Sequence, residues 1–137
     1  MVKRTFTADV GKMNEVQDFV SECIKADGAD EMTVMQIALA VEEVFVNIAS
    51  YSYPDSEGDA EVTVERLADP SAIRITFADS GIPFDPLNAP PPDVNLPAEE
   101  RPIGGLGIFL VRELMDDVSY RYENGKNILA FEKRLDT

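Results

Sequence analysis

The stretch Ile37–Ser50, IALAVEEVFVNIAS, decides how the rest of the chain folds. It is apolar almost all the way round a helix, so it predicts a helix that is largely buried. At about 100° per residue, Glu43 and Asn47 stand one turn apart on a flank of the main apolar arc, whereas Glu42 points away from both. We therefore expect Glu43 and Asn47 to face the same spot.

Two interpretations of this pair stay open on the helix alone. A carboxylate and an amide so placed can hold a hard cation through oxygen ligands or orient a water, and a buried Glu43 has a route to a raised pKa and general-base work. The simpler interpretation, which the helix alone favours, is that Glu43 and Asn47 hydrogen-bond each other or a neighbouring loop. The rest of the chain has to decide between them.

Around this helix the sequence predicts five strands and two further helices. The strands are Val2–Thr7, Ala60–Leu67, Ala72–Ala78, Val118–Glu123 and Ile128–Arg134, and the helices begin at Asp9, at Glu31 or Thr33 (to Ser50), and at the GGLG segment (to about Met115). Hairpins are indicated by Ala-Asp-Pro-Ser and by Asn124-Gly125. The predicted fold is α/β (α+β), a two-layer sandwich of a mixed, mainly antiparallel sheet covered on one face by three helices, in a single domain over residues 1–137.

Composition excludes several classes of function. Twelve basic residues against 26 acidic ones give a net charge of −14, which repels DNA and RNA, so no direct nucleic-acid partner is expected. The chain has no histidine, which excludes a Ser-His-Asp triad, a zinc site built on His and a phosphohistidine relay. Its one cysteine, Cys23, lies in an apolar stripe and is expected to be a core thiol. The N-terminus MVKRTFTADV resembles neither a signal peptide nor a membrane span, which favours a cytoplasmic protein.

Two glycine-containing motifs follow the buried helix. In DSGIP, Asp79–Pro83, an acid ends a strand. Asp79 either forms an Asx-type turn or accepts from an exocyclic amine, with Gly81 letting a flat ring lie against the backbone. In IGGLG, Ile103–Gly107, outward N–H groups at a helix start suit a phosphate, and a flexible hinge is the alternative. No Lys-Ser/Thr follows and no strand leads into it, so it is neither a Walker A loop nor a dinucleotide fingerprint.

A proline-rich segment separates these two motifs. Seven of the chain's nine prolines lie between Pro83 and Pro102, which excludes a regular helix or a central strand. Such a segment is either a functional lid or a disordered insert. A cation-facing helix, an amine acceptor, a lid and a phosphate loop are together the parts that an ATP·Mg²⁺ site requires.

In this order the motifs resemble the GHKL ATPases with the Bergerat ATP-binding fold, and among them the bacterial anti-sigma factor serine kinases. Glu43-x-x-x-Asn47 is similar to their N box, Asp79–Pro86 (DSGIPFDP) to their first glycine box and Gly104–Asp117 to their second. The resemblance implies a general base at Glu43, an Mg²⁺ ligand at Asn47 and an adenine reader at Asp79. The remaining nucleotide-binding residues that it implies are Gly81 beside the adenine, Gly104, Gly105, Leu106 and Gly107 at the phosphates, and Arg112, which faces either the phosphates or a partner.

The resemblance also implies a function. Such kinases use ATP and Mg²⁺ to phosphorylate a serine on a STAS-type anti-anti-sigma protein, and otherwise hold a sigma factor or an analogous regulator. The Pro-rich segment at about 86–103 would be the ATP lid. Whether the chain forms a homodimer does not follow from the sequence. The alternative is a nucleotide-gated protein-binding module that transfers little or no phosphate. One departure bears on this choice, because the family often has His one turn beyond the N-box Asn, where this chain has Tyr51.

Overall fold

The computed structural model describes residues 1–53, 56–68, 71–88 and 105–135. Within these ranges five strands form one sheet in the order β1-β2-β3-β5-β4, and every strand pair is antiparallel. The strands are β1 (Val2–Thr7), β2 (Asp59–Ala68), β3 (Ser71–Asp79), β4 (Asp117–Glu123) and β5 (Lys126–Arg134). The helices are α1 (Met13–Ala26), α2 (Glu31–Asn47) and α3 (Gly105–Leu114). Buried residues of all three helices and of alternate strand positions form one core, so the predicted α/β sandwich is confirmed.

Helix α2 is the central element of this core. The Asp30 carboxylate caps its N-terminus by accepting from the Thr33 N–H at 2.8 Å. The helix packs against both α1 and α3 as well as the sheet, which explains why its sequence is apolar on nearly every side. With the turn that follows, Glu31–Ser52 is long and apolar enough to cross a membrane by length and composition, and this hydropathy is accounted for by its place in the core.

Beyond Asn47, the helix continues as a π-helical turn, Ile48–Ser52. Such turns are rare and are frequently found at functional sites. This one brings the Ser52 carbonyl to the loop after β3, where it accepts from the Ile82 N–H at 2.9 Å. The helix predicted to end at Ser50 therefore ends two residues later, with a change of winding that joins it to the end of β3.

The other local predictions hold with small shifts. Asp9 accepts from the Gly11 N–H at 3.0 Å and caps a short 3₁₀ helix, Val10–Lys12, after which α1 begins at Met13. Asn124 and Gly125 both have positive φ, 54° and 77°, as a tight hairpin turn requires. This turn sets the register of β4 on β5. Tyr120 on β4 and Asn127 on β5 are described below.

Candidate functional site

A cavity lies between the end of α2, the ends of β3 and β5, and α3. The empty space there is about 360 Å³ when the open solvent at its mouth is counted. Its wall is mostly apolar, as binding pockets for small molecules are. The polar residues in its lining are Asn47, Ser52, Asp79, Tyr120 and Asn127.

Asp79 is the buried acid of this cavity, only 4% exposed at the end of β3. Its Oδ1 accepts from the Gly81 N–H at 2.9 Å and from Asn127 Nδ2 at 3.0 Å. The first contact is the Asx-type turn that the sequence suggested. Among the described residues nothing donates to Oδ2, so Asp79 forms the turn with one oxygen and retains the other as an acceptor.

Asn127 was not predicted as a site residue. It is 5% exposed at the start of β5 and pairs in register with Asp79 across the sheet. One signal in the sequence could have found it. Alternate positions of β5 face the core, and Asn127 is a polar residue at such a position, whereas the next two are Leu129 and Phe131. A buried polar side chain needs hydrogen-bond partners, but the sequence does not say which residues these are.

Asn47 lies in the cavity wall and is 6% exposed. Its Nδ2 is buried and has no hydrogen-bond partner among the described residues, so the simpler of the two interpretations, a hydrogen bond between Asn47 and Glu43, is not observed there. An unpaired buried amide costs about 1–3 kcal/mol and is a natural place for a ligand or a water. A half-turn of the amide exchanges Nδ2 with Oδ1, so the side chain can present either a donor to a phosphate or an oxygen to a cation.

Glu43 lies one turn before Asn47 on α2 and is half-buried. It is not part of the cavity lining formed by the described residues, nor does it make an ion pair or hydrogen bond with any of them. Desolvation raises the pKa of the Glu43 carboxyl, and the neighbouring charge of Glu42 raises it further. A raised pKa makes the carboxylate a stronger base, as a general base requires.

The phosphate loop is only partly within the described residues. Gly105 begins α3, and Leu106 and Gly107 lie in its first turn, where backbone N–H groups have no partner inside the helix. Ile108 follows them and lines the cavity, so the positive end of the helix dipole lies beside it. Arg112 is exposed further along α3. Gly104 and residues 89–103 of the predicted lid lie outside the described residues.

Tyr51 contacts the loop that follows β3. Its ring is stacked on Phe84, with ring centroids 5.2 Å apart and an interplanar angle of 25°. Phe84 in turn lines the cavity. Tyr51, at the position where the resemblance predicts a His, therefore packs against Phe84, an aromatic residue of the cavity wall.

Tyr53 is a further connection that the sequence did not predict. Its hydroxyl donates to the Asp59 carbonyl at 2.7 Å and accepts from the Ser80 N–H at 2.9 Å. The ring occupies the space where Gly58 has no side chain, because a Cβ there would lie 2.1 Å from Cε1 of Tyr53. This tyrosine ties the end of the π-helical turn to β2 and to the residue after Asp79.

This fold and this arrangement of motifs define an ATPase-type domain, and the chain belongs to the histidine kinase-like ATPase domain family, which matches residues 6–133. Its relatives include the serine-protein kinase RsbW of Listeria monocytogenes serovar 1/2a, 34% identical over 100 residues (70% of this chain, 63% of the relative). The serine-protein kinase RsbW of Bacillus cereus ATCC 10987 is 32% identical over 104 residues (73% of this chain, 62% of the relative). The match thus spans less than two thirds of either relative. The resemblance to this superfamily is confirmed.

Two solved structures share the fold. The crystal structure of the RsbU and RsbW domains of Rv1364c from Mycobacterium tuberculosis matches with a TM-score of 0.65 and 14% identity, over 98% of this chain and 33% of that one. The histidine kinase domain from Erythrobacter litoralis EL346 blue-light activated histidine kinase matches with a TM-score of 0.57 and 19% identity, over 92% of this chain and 60% of that one. At such identities the likeness establishes the architecture.

Proposed function

We propose that this chain is an ATP- and Mg²⁺-dependent protein serine kinase that phosphorylates a STAS-type anti-anti-sigma protein and holds a sigma factor or an analogous regulator. The observation that carries the proposal is the pair of groups at the cavity, a buried Asp79 with one carboxylate oxygen left for a ligand and a buried Asn47 amide without a partner. The 34% identity to a serine-protein kinase RsbW supports the choice of reaction. The proposal includes a cytoplasmic location and a single ATP-binding domain over residues 1–137.

The adenine end of the proposed site is built around Asp79. Its Oδ2 would accept a hydrogen bond from the exocyclic amine of adenine, where guanine carries a carbonyl oxygen that an acid repels. Phe77 and Leu129 belong to the apolar part of the wall and suit a flat ring. The site should therefore select ATP and ADP over GTP.

The phosphate end would lie at α3 and the end of α2. The first-turn N–H groups of Gly105, Leu106 and Gly107, together with the helix dipole, suit the phosphates, and Asn47 Oδ1 suits Mg²⁺ as a hard oxygen ligand. Bound Mg²⁺ would supply positive charge to the phosphate oxygens. Arg112 would serve the phosphates or a partner protein from its exposed position on α3.

In the transfer step Glu43 would act as the general base. Its carboxylate would take the proton of the substrate serine while the serine oxygen bonds to the γ-phosphorus and the bond to the leaving ADP oxygen breaks. Desolvation, which raises the pKa of Glu43, favours this proton transfer.

The alternative function shares the nucleotide site and lacks the transfer. In that case the chain is a nucleotide-gated module that sequesters a regulator, and Tyr51, stacked on Phe84, stands where the resemblance leads one to expect a His. Nucleotide binding cannot separate the two functions, so the test has to measure transfer.

The deciding experiment is phosphate transfer from γ-labelled ATP to a STAS-type anti-anti-sigma protein, with Mg²⁺ present. Stoichiometric labelling of one serine supports the kinase, and replacement of that serine by alanine should abolish the label. A partner that binds the chain in a nucleotide-dependent manner but is never labelled would establish the alternative. Light scattering of the same samples decides whether a homodimer forms.

A further inference from the structure

Asn127 joins four parts of the protein at the cavity. Its Nδ2 donates to Asp79 Oδ1 at 3.0 Å and to the Ile82 carbonyl at 2.8 Å. Its Oδ1 accepts from the Phe84 N–H at 3.1 Å and from the Tyr120 hydroxyl. The side chain therefore uses both donors and both acceptor lone pairs while it is almost fully buried.

These partners fix the orientation of the amide. The Phe84 N–H can only donate, so it requires an acceptor, which is Oδ1 of Asn127. On the other side, the Ile82 carbonyl can only accept, so it requires the Nδ2 donor. The donor directed at Asp79 is thus determined by backbone groups, and neither a half-turn of the amide nor a carboxylate in its place would satisfy all four contacts.

We propose that Asn127 is a positioning residue for the nucleotide: it holds Asp79 by Oδ1, so that Oδ2 is the oxygen presented to the base, and it holds the loop at Ile82 and Phe84 against the same side of the cavity. The inference rests on the proposed function, since it assigns this role toward an adenine nucleotide. Without the Asn127 donor, Oδ1 retains only the Gly81 N–H, and the carboxylate can turn about its last torsion. The base would then meet an acid whose free oxygen is no longer fixed.

A carboxylate at position 127 gives a readout that a purely structural role would not. Asn127→Asp places two carboxyl groups in contact, and such pairs hold one shared proton up to a raised pKa. Among the described residues, the other titratable groups near this pair are Tyr120 on β4, which contacts Asn127, and Tyr53, on which the charge of Asp79 acts. Asp85 in the loop and Tyr122 on β4 in turn act on Tyr120. When the pair is protonated, its single O–H restores the contact with Asp79, although the Ile82 carbonyl loses its donor. At higher pH the two charges repel and Asp79 is displaced.

The test is calorimetric titration of the full chain with ADP, ATP and GTP from about pH 6 to about pH 8. At about pH 8 the lost hydrogen bond to a charged group should make the affinity of Asn127→Asp for adenine nucleotides roughly 10- to 100-fold weaker than that of wild type. This affinity should recover as the pH is lowered toward about 6. Wild type should change little across the range. Tyr122→Phe is the matched control, because Tyr122 pairs with Asn127 across β4 and β5 but is exposed and lies outside the cavity lining, so its ATP-to-GTP preference should stay that of wild type.

Asn127→Ala is the second variant, and thermal unfolding without nucleotide shows which variants fold. It should weaken adenine nucleotide binding without the recovery at low pH, and it should reduce the preference for ATP over GTP. If wild type binds ATP and both folded variants bind it equally well with an unchanged preference, the positioning role is wrong although the proposed function stands. If Asn127→Asp does not fold, the preference of Asn127→Ala alone decides. A wild type that binds no adenine nucleotide overturns the proposed function, and this inference with it.

Discussion

Gly81 lies so close to Ser52 that a Cβ at position 81 would come within 2.1 Å of the Ser52 carbonyl oxygen. The neighbouring Ile82 N–H donates to that same carbonyl, so the approach is part of a backbone contact. The sequence had explained this glycine by a ligand ring lying against the backbone. The structure adds a cause within the protein, which is the contact between the π-helical turn and the loop after Asp79.

Gly81→Ala should therefore destabilise the protein by about 1–3 kcal/mol, because a backbone carbonyl cannot move aside as a flexible side chain can. It should also weaken nucleotide binding by displacing Asp79. Urea unfolding and nucleotide titration measure the two effects. Gly11→Ala is the control, since the nearest atoms to its Cβ would be those of the Asp9 carboxylate, at an ordinary distance of 3.6 Å or more. Equal stability of Gly81→Ala and wild type would contradict the close contact.

Asp79→Asn should remove the preference for adenine nucleotides. The two donors at Oδ1 force the new amide to place its oxygen there, so its NH₂ group takes the place of Oδ2 and meets the adenine amine donor to donor. The expected loss is about 1–3 kcal/mol of binding free energy, measured by calorimetry. Asp85→Asn keeps the oxygen that accepts from the Leu87 N–H and should bind as wild type does. An Asp79→Asn variant with wild-type affinity for ATP would exclude the adenine role.

Glu43→Gln should abolish transfer and spare binding. The amide keeps the size of the side chain but cannot take a proton, so phosphoryl transfer should fall by roughly 10²- to 10⁴-fold. Labelled-phosphate transfer and nucleotide titration are run on the same samples. Glu42→Gln, at the exposed neighbouring position, should transfer at nearly the wild-type rate. The base assignment is wrong if Glu43→Gln transfers as fast as wild type.

The rate of transfer should also depend on pH through Glu43. A base works in its ionised form, and burial raises the pKa of this carboxyl, so single-turnover transfer should rise with pH in a window above the ordinary range of glutamate. The free energy of unfolding should depend on pH in the opposite direction. The folded protein favours the protonated form of the Glu43 carboxyl, so the contribution of Glu43 to stability is fully present at low pH and is lost as pH rises through its pKa in the folded state. Glu43→Gln should remove both dependences, and a rise in transfer that survives in that variant would assign the titration to another group.

The sequence predicted the helices and strands well because each has a strong local signal. The alternation in β2 and β3, the Asn124-Gly125 turn and the all-round hydrophobicity of α2 are all local patterns. The π-helical turn was missed, since its residues are as apolar as those of a regular helix. The change of winding there accompanies a contact with the Ile82 N–H, which is distant in sequence.

The candidate site was predicted in part for a similar reason. Asp79 and Asn47 stand in recognisable motifs, so their residue types were sufficient to single them out. Asn127 and Tyr53 act through partners that other segments bring to them, Asp79 in one case and Ser80 in the other. The register of β5 on β3 brings Asn127 to its place, and no short stretch of sequence encodes that pairing.

The π-helical turn sets the phase of the chain at this point. Such a turn takes about one residue more than a turn of regular α-helix. If the same residues, Ile48–Ser52, were wound as a regular α-helix, everything after them would be rotated by about 100°. Tyr53 would then leave Ser80 and Asp59, and the Ser52 carbonyl would leave Ile82. The wide winding of this segment, more than any one of its side chains, therefore brings the end of α2 to the loop that follows Asp79.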